Sequence, residues 1–185
     1  MRVIAGRWKG HSLFYPKNKS YRPTQDRVKE AIFSILNPYI EDSRVLDLCA
    51  GTGGLGIEAW SRGASRVVFV EQHINDLKRN VETLIDTSKD SKDALRKQTQ
   101  IYKSNILHYL KKGGETFDII LLDPPWDRHD LYEDSLKRII DFDILEPSGV
   151  IVCEHRVSHH LTWDPVYHTK AYTYGDTQVT IAKNK

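Results

Sequence analysis

From residue 44 onward the chain repeats one pattern, and that pattern limits the folds open to it. Short apolar runs, "RVLDL", "RVVFVE", "QIYKS", "FDIILLD" and "GVIVCE", alternate with amphipathic stretches starting near Gly54, Ile74, Ile106 and Tyr132. Continuous aliphatic runs suit strands buried on both faces, and strands separated by helices pair in parallel. The expected class is therefore α/β, with a parallel, doubly wound sheet. The tail "VYHTKAYTYGDTQVTIAK" holds two strand-like runs around Gly175 and Asp176, which predicts a closing antiparallel hairpin.

Upstream the pattern differs. "RVIAG" and "HSLFYP" read as two short strands turning between Gly6 and Gly10, so residues 1–22 are expected to form an N-terminal β-hairpin arm. "PTQDRVKEAIFSIL" then places Val28, Ala31, Ile32, Ile35 and Leu36 at helical spacing, with Thr24 as N-cap and Asn37–Pro38 as the stop. "DTSKDSKDALRKQ" reads as an exposed loop or frayed helix end. The 185 residues suit one domain, whose folded state buries about 70% of its unfolded surface. No apolar run approaches the ~20 residues that span a bilayer, and the basic start lacks the apolar block of a signal peptide, so a cytoplasmic protein without membrane contact is expected. Cys49 and Cys153 offer neither a disulfide framework nor a metal pair, and read as small hydrophobes.

The net charge of +2 hides an asymmetry. Residues 1–30 carry eight Lys or Arg against Asp26 and Glu30, a local +6, and the rest of the chain is −4. Arg2, Arg7, Lys9, Lys17, Lys19, Arg22 and Arg27 make that field, and they interleave with Trp8, Phe14, Tyr15 and Tyr21. Clustered cations displace counterions from phosphates, so a nucleic-acid partner fits, although charge alone allows a solvated basic face equally well.

"VLDLCAGTGGLGIEA" sets Gly51, Gly53 and Gly56 in GxGxxG spacing between a strand and a helix. Such a turn admits a ligand close to the backbone, and Glu71 at the end of the next strand can accept two bonds from ribose hydroxyls. Asp47 separates the candidate ligands. A carboxylate beside the glycine turn attracts the ammonium and sulfonium of S-adenosylmethionine and repels the diphosphate of a nicotinamide dinucleotide. Ser104 and Asn105 reach the same sheet edge, where Asn105 serves an adenine edge or a helix N-cap equally well.

"IILLDPPWDRH" ends a strand at Asp123, Pro124, Pro125 and Trp126. Prolines alone are ordinary strand terminators. As a set, Asp123 and the Pro124 carbonyl are acceptors for the two hydrogens of a planar exocyclic amine, and Trp126 is a face for its ring. Such acceptors rotate the amine's lone pair out of conjugation and stabilise the charge that grows on nitrogen during methyl transfer. Asp123 is also placed to take the departing proton.

"RVIAGRWKGHSL", "RPTQDRVKEAIFSIL", "VLDLCAGTGGLGIEAWSRGA", "VFVE" and "DPPW" together resemble the bacterial 16S rRNA (guanine-N2) methyltransferases of the RsmD family, along nearly the whole chain. The resemblance implies a Rossmann-like, seven-stranded fold that binds S-adenosylmethionine and releases S-adenosylhomocysteine. It implies a cofactor held by Asp47, Gly51, Gly53, Glu71 and the Ser104–Asn105 turn, with "RPTQDR" near its methionine end or an RNA phosphate, making Arg22, Thr24 and Arg27 candidates. It implies a flipped guanine held by Asp123, Pro124 and Trp126, a partner in 16S rRNA within the 30S subunit or an assembly intermediate, and a monomer. Cys49 and Trp126 stand where that family has an aromatic residue and Phe or Tyr, respectively. A non-catalytic RNA-binding assembly factor and an adenine-N6 DNA methyltransferase are the competing readings. His155, His159 and His160 read as isolated surface histidines, and no metal is expected.

Overall fold

The computed structural model describes residues 1–16 and 24–185. At its centre is a seven-stranded sheet in the order β3-β2-β1-β4-β5-β7-β6. β1 (Arg44–Leu48), β2 (Arg66–Glu71), β3 (Thr99–Lys103), β4 (Phe117–Leu122) and β5 (Leu145–Arg156) pair in parallel. β6 (Tyr167–Tyr174) and β7 (Thr177–Asn184) form the closing antiparallel hairpin, with β7 inserted against β5. Strand order reverses between β1 and β4, which opens a crevice above their carboxyl ends.

Alternation along the strands sorts the core into two halves. Val45, Val67, Phe69, Ile119, Leu121, Val150 and Val152 face α1 (Asp26–Ile40), α2 (Gly54–Ser61) and α3 (Asn75–Thr87). Leu46, Leu48, Val68, Val70, Ile120, Leu122, Ile151 and Cys153 face α5 (Ile106–Leu110) and α6 (His129–Asp141). A period of two then decides where the strand ends point: Asp47, Glu71, Asp123 and Glu154 fall in step with the first set, on four neighbouring strands.

Three local expectations change. Helix α1 continues through Pro38 to Ile40, because burial of Leu36 and Ile40 outweighs the one backbone bond that proline removes near the helix end. Gln25, not Thr24, holds the N-cap position. Within "DTSKDSKDALRKQ", Lys92–Lys97 form a helix, α4, whose cap is the Ser91 hydroxyl accepting from Ala94 N–H at 3.4 Å.

The N-terminal hairpin is reduced to one bridge, Arg2 to Ser12, with Val3 N–H donating to His11 O at 3.0 Å and Leu13 N–H to Met1 O at 3.0 Å. Packing holds it instead of a ladder. Val3, Trp8 and Leu13 are buried, and Trp8 lies against Trp60 of α2 with ring centroids 4.3 Å apart. Ile4 and Ala5 N–H donate to the Glu58 carboxylate at 2.8 and 3.0 Å. Glu58 also meets Lys29 Nζ at 3.4 Å and Arg62 Nε at 2.7 Å, with the Lys29 and Glu58 side chains fully buried. Lys29 in turn donates to the Arg2 carbonyl. Residues 1–16 are thus docked on α1 and α2. Lys17, Lys19 and Arg22 lie outside the described residues.

Candidate active site

Backbone geometry makes the floor of the crevice. After β1 the chain turns through Cys49, Gly51 and Gly53 at φ of 61°, 57° and 90°. Positive φ at Gly53, where a Cβ would lie 2.7 Å from a Leu77 methyl, restricts that position to glycine. A Cβ on Gly56 would meet Phe69 at 2.4 Å and Asp47 Oδ2 at 2.7 Å, and its absence lets Gly56 N–H donate to Asp47 at 2.8 Å. Asp47 therefore holds the first turn of α2 as well as facing the glycine turn. Its carboxyl is 1% exposed. Burial pushes its pKa up to about 7, the Gly56 N–H pulls it down, and Glu71 pushes it up again.

Glu71 accepts from Gly51 N–H at 2.9 Å with one oxygen and from Gln72 and His73 N–H at 2.8 and 2.9 Å with the other. That fixes its carboxylate beside the glycine turn. Asn105 is the N-cap of α5, accepting from His108 N–H at 2.8 Å, and Ser104 donates to the Asn105 carbonyl. Of the two readings left open for Asn105, the cap is the one present. The set is acidic and rich in acceptors, a pattern that fits a cationic adenosine ligand and not a diphosphate.

On the other side of β1, Asp123 is half-buried at the end of β4, its N–H 3.4 Å from Leu48 O. Burial, then the charges of Glu154 and Asp47, hold its carboxyl well above the usual carboxylate range. The Pro124 carbonyl is not free of protein bonds, because the buried Tyr132 hydroxyl lies 3.2 Å from it while donating to Glu154 O at 2.6 Å. A carbonyl has a second lone pair, so an acceptor position remains. Trp126 is half-buried, with the Arg156 guanidinium 5.0 Å from its ring centroid.

Two residues near this loop escaped sequence reading. Glu154, on β5, is 6% exposed and accepts from the Thr24 hydroxyl at 2.9 Å. Thr24 therefore sits beside β5, on the proline-loop side of the crevice. Arg156 follows two residues later. The period of two in "VIVCEHR" was the signal for Glu154; its partner, 130 positions away, gave none.

The basic residues are dispersed. Arg27 is exposed on the first turn of α1, near Thr24, and Arg2 Nε bonds Asp26 at 3.0 Å. Arg7 and Lys9 occupy the tip of the N-terminal turn, where Arg7 and Trp8 N–H reach Ser61 and Arg7 pairs with Asp90 at 3.3 Å. Ser61 ends α2, so this tip lies about 12 Å of helix away from the glycine turn. Two of the three histidines, His155 and His159, are packed, while His160 is exposed. His155 is buried between Thr180 Oγ1 and the Arg156 carbonyl at 2.9 Å each, and His159 packs edge-on against His129 at 3.8 Å between centroids. Among the described residues, no three His, Cys, Asp or Glu side chains could hold a metal ion.

Comparison with known proteins agrees with this geometry. The family model described as conserved hypothetical protein 95 matches residues 1–183. The chain is 40% identical to the Bacillus subtilis protein YlbH over the full length of both. It is 37% identical to the ribosomal RNA small subunit methyltransferase D of Haemophilus influenzae, covering 83% of this chain and 78% of the relative. The solved structure of Escherichia coli yhhF superposes with a TM-score of 0.85 at 29% identity, covering 100% of this chain and 98% of the other.

Proposed function

This chain belongs to the family of conserved hypothetical protein 95, which takes in the small-subunit ribosomal RNA methyltransferases D, and is a methyltransferase; we propose that its substrate atom is the exocyclic N2 of a guanine in 16S rRNA. The observation that carries the reading is the row of carboxylates on one sheet face, Glu71 and Asp47 on the glycine side, Asp123 and Glu154 on the proline side. Two acidic halves meeting at a β1/β4 crevice suit a cationic cofactor beside an amine.

Bound on the glycine side, S-adenosylmethionine supplies an electrophilic methyl on sulfur. Glu71 would hold the ribose hydroxyls and Asp47 the ammonium, with Gly51, Gly53 and the Ser104–Asn105 turn shaping the adenosine site. Asp123 and the Pro124 carbonyl would accept the two N2 hydrogens, and Trp126 would stack on the base, worth about 1–3 kcal/mol. Delocalisation makes a guanine amine a poor nucleophile, so turning its lone pair out of the ring plane is the main task of those acceptors. Arg156, over the Trp126 ring, and Arg128, two residues further along the same loop, would meet phosphates, as would Arg27 on the first turn of α1. The 30S subunit or an assembly intermediate is the proposed target, and the monomer the proposed acting form.

The test supplies labelled cofactor with naked 16S rRNA, 30S subunits and DNA, and identifies modified nucleosides by mass spectrometry. N2-methylguanosine is expected on a ribosomal substrate, and Asp123→Ala is expected to lower turnover at least tenfold with cofactor affinity kept. Cofactor binding without any methylated nucleoside would favour a non-catalytic assembly factor. N6-methyladenine in DNA would move the substrate altogether.

A further inference from the structure

We propose that Glu154 is a specificity-determining residue that accepts the N1–H of the target base, so that guanine is read by two neighbouring carboxylates and a carbonyl. This rests on the guanine-N2 reading above and goes beyond it. Leu122 pairs with Cys153 in the β4/β5 register, so Asp123 and Glu154 come one step further along neighbouring strands and on the same face. Their backbones are then about one strand spacing apart, roughly 4.8 Å. Glu154 is the nearby charge that acts most on Asp123.

Contacts with Thr24 and Tyr132 help to fix its place. The Thr24 hydroxyl binds Oε2 at 2.9 Å, which orients the carboxylate. The Tyr132 hydroxyl touches both Glu154 O and Pro124 O, so the backbone of Glu154 and the proline loop are held as one unit. At 6% exposure, the carboxylate is sheltered enough for a hydrogen bond to discriminate strongly.

The chemistry of the base supplies the rest. Guanine presents N1–H and the N2 amine as adjacent donors on one edge. Acceptors for N2 at Asp123 and Pro124 leave N1–H needing its own acceptor on the same side, and Glu154 is the next group along the sheet. Adenine and 2,6-diaminopurine carry no hydrogen on N1, so each would set a lone pair against a carboxylate.

The test compares guanosine with 2,6-diaminopurine riboside, ligated into rRNA at the guanine that the wild type modifies. Both bases offer the same N2 amine; they differ at N1 and at C6, where guanine's carbonyl becomes an amine, so the response of the preference to Glu154→Gln is what isolates N1. The wild type is expected to prefer guanosine by on the order of 100-fold in kcat/KM. Glu154→Gln keeps an oxygen for Thr24 and adds an N–H donor. It is expected to narrow that preference to within about tenfold, or to reverse it, with cofactor affinity and thermal unfolding unchanged. Equal wild-type rates on the two bases overturn the proposal without any variant. So does a Glu154→Gln enzyme that loses the same factor on both, or that loses stability in step with activity. A wild type that leaves guanosine unmethylated at N2 defeats the underlying functional reading instead.

Discussion

At the residue scale the crevice is a problem of buried acids, and Asp47 gives its clearest consequence. Burial places its pKa near 7 in the folded, ligand-free protein, against an ordinary value of 3.8. Between those values the folded state holds a proton that the unfolded state has released, so this group's contribution to stability falls as pH rises from about 4 to 7 and is flat above. A cationic cofactor reverses the preference, because its ammonium is best met by an ionised carboxylate. Below pH 7 binding must therefore expel a proton, and cofactor affinity should weaken by up to about tenfold per pH unit as pH falls from 7 to 5. Titration calorimetry in buffers of different ionisation enthalpy measures that proton directly; a dissociation constant flat across pH 5–7 would remove Asp47 from the ammonium site. The positions of Glu71 and Asp123 were legible in the sequence because each ends an apolar run, and that of Asp47 because it lies one residue from the end of β1; parallel strands put these ends on one edge. Glu154 ends the run "GVIVCE" in the same way, but its contacts come from Thr24 and Tyr132, distant in sequence, and no local pattern pointed to them.

At the element scale the strands and most helices followed from periodicity, and so did the N-terminal hairpin, which is present as a single antiparallel bridge. What its short apolar runs did not reveal is its fastening to α1 and α2 through Glu58. That fastening depends on a carboxylate receiving two backbone N–H groups, an arginine and a lysine, of which only the arginine, Arg62, is close to Glu58 along the chain. Burial lowers the Lys29 pKa, and Glu58 opposes the shift by charge and by hydrogen bond. A buried pair of this kind is weak evidence of net stability, but removing one partner leaves the other charged and alone. Glu58→Ala is expected to cost about 3–5 kcal/mol by denaturant unfolding, with amide exchange at Ile4 and Ala5 accelerating as the segment detaches. A loss below about 1 kcal/mol would mean that Trp8 packing on Trp60 alone holds the segment.

Over the whole molecule the question is where a polyanion lies. The sequence concentrates positive charge in residues 1–30, and the fold divides that charge. Arg7 and Lys9 go to a tip beside the end of α2, while Arg27 stays on the first turn of α1, three residues after Thr24, whose hydroxyl reaches Glu154; Arg156 lies two residues beyond Glu154 against Trp126, and Arg128 follows in the proline loop. Arg128 pairs with Asp130 at 2.7 Å, but both side chains are more than half exposed, so the pair is weak enough to exchange for a phosphate. If the proposed base stacks on Trp126, the RNA that carries it would meet Arg156 and Arg128 beside that ring, whereas the tip lies at the far end of α2. Each phosphate deprived of its cationic partner flattens the dependence of log K on log salt by about 0.7 for single strands. Replacing Arg27, Arg128 and Arg156 together by Ala should therefore lower that slope by roughly two units, and replacing Arg7 and Lys9 should lower it by less than about one. Filter binding of 16S rRNA across a salt series separates the two. The reverse ranking would lay the RNA along the N-terminal turn and leave the crevice to the flipped base alone.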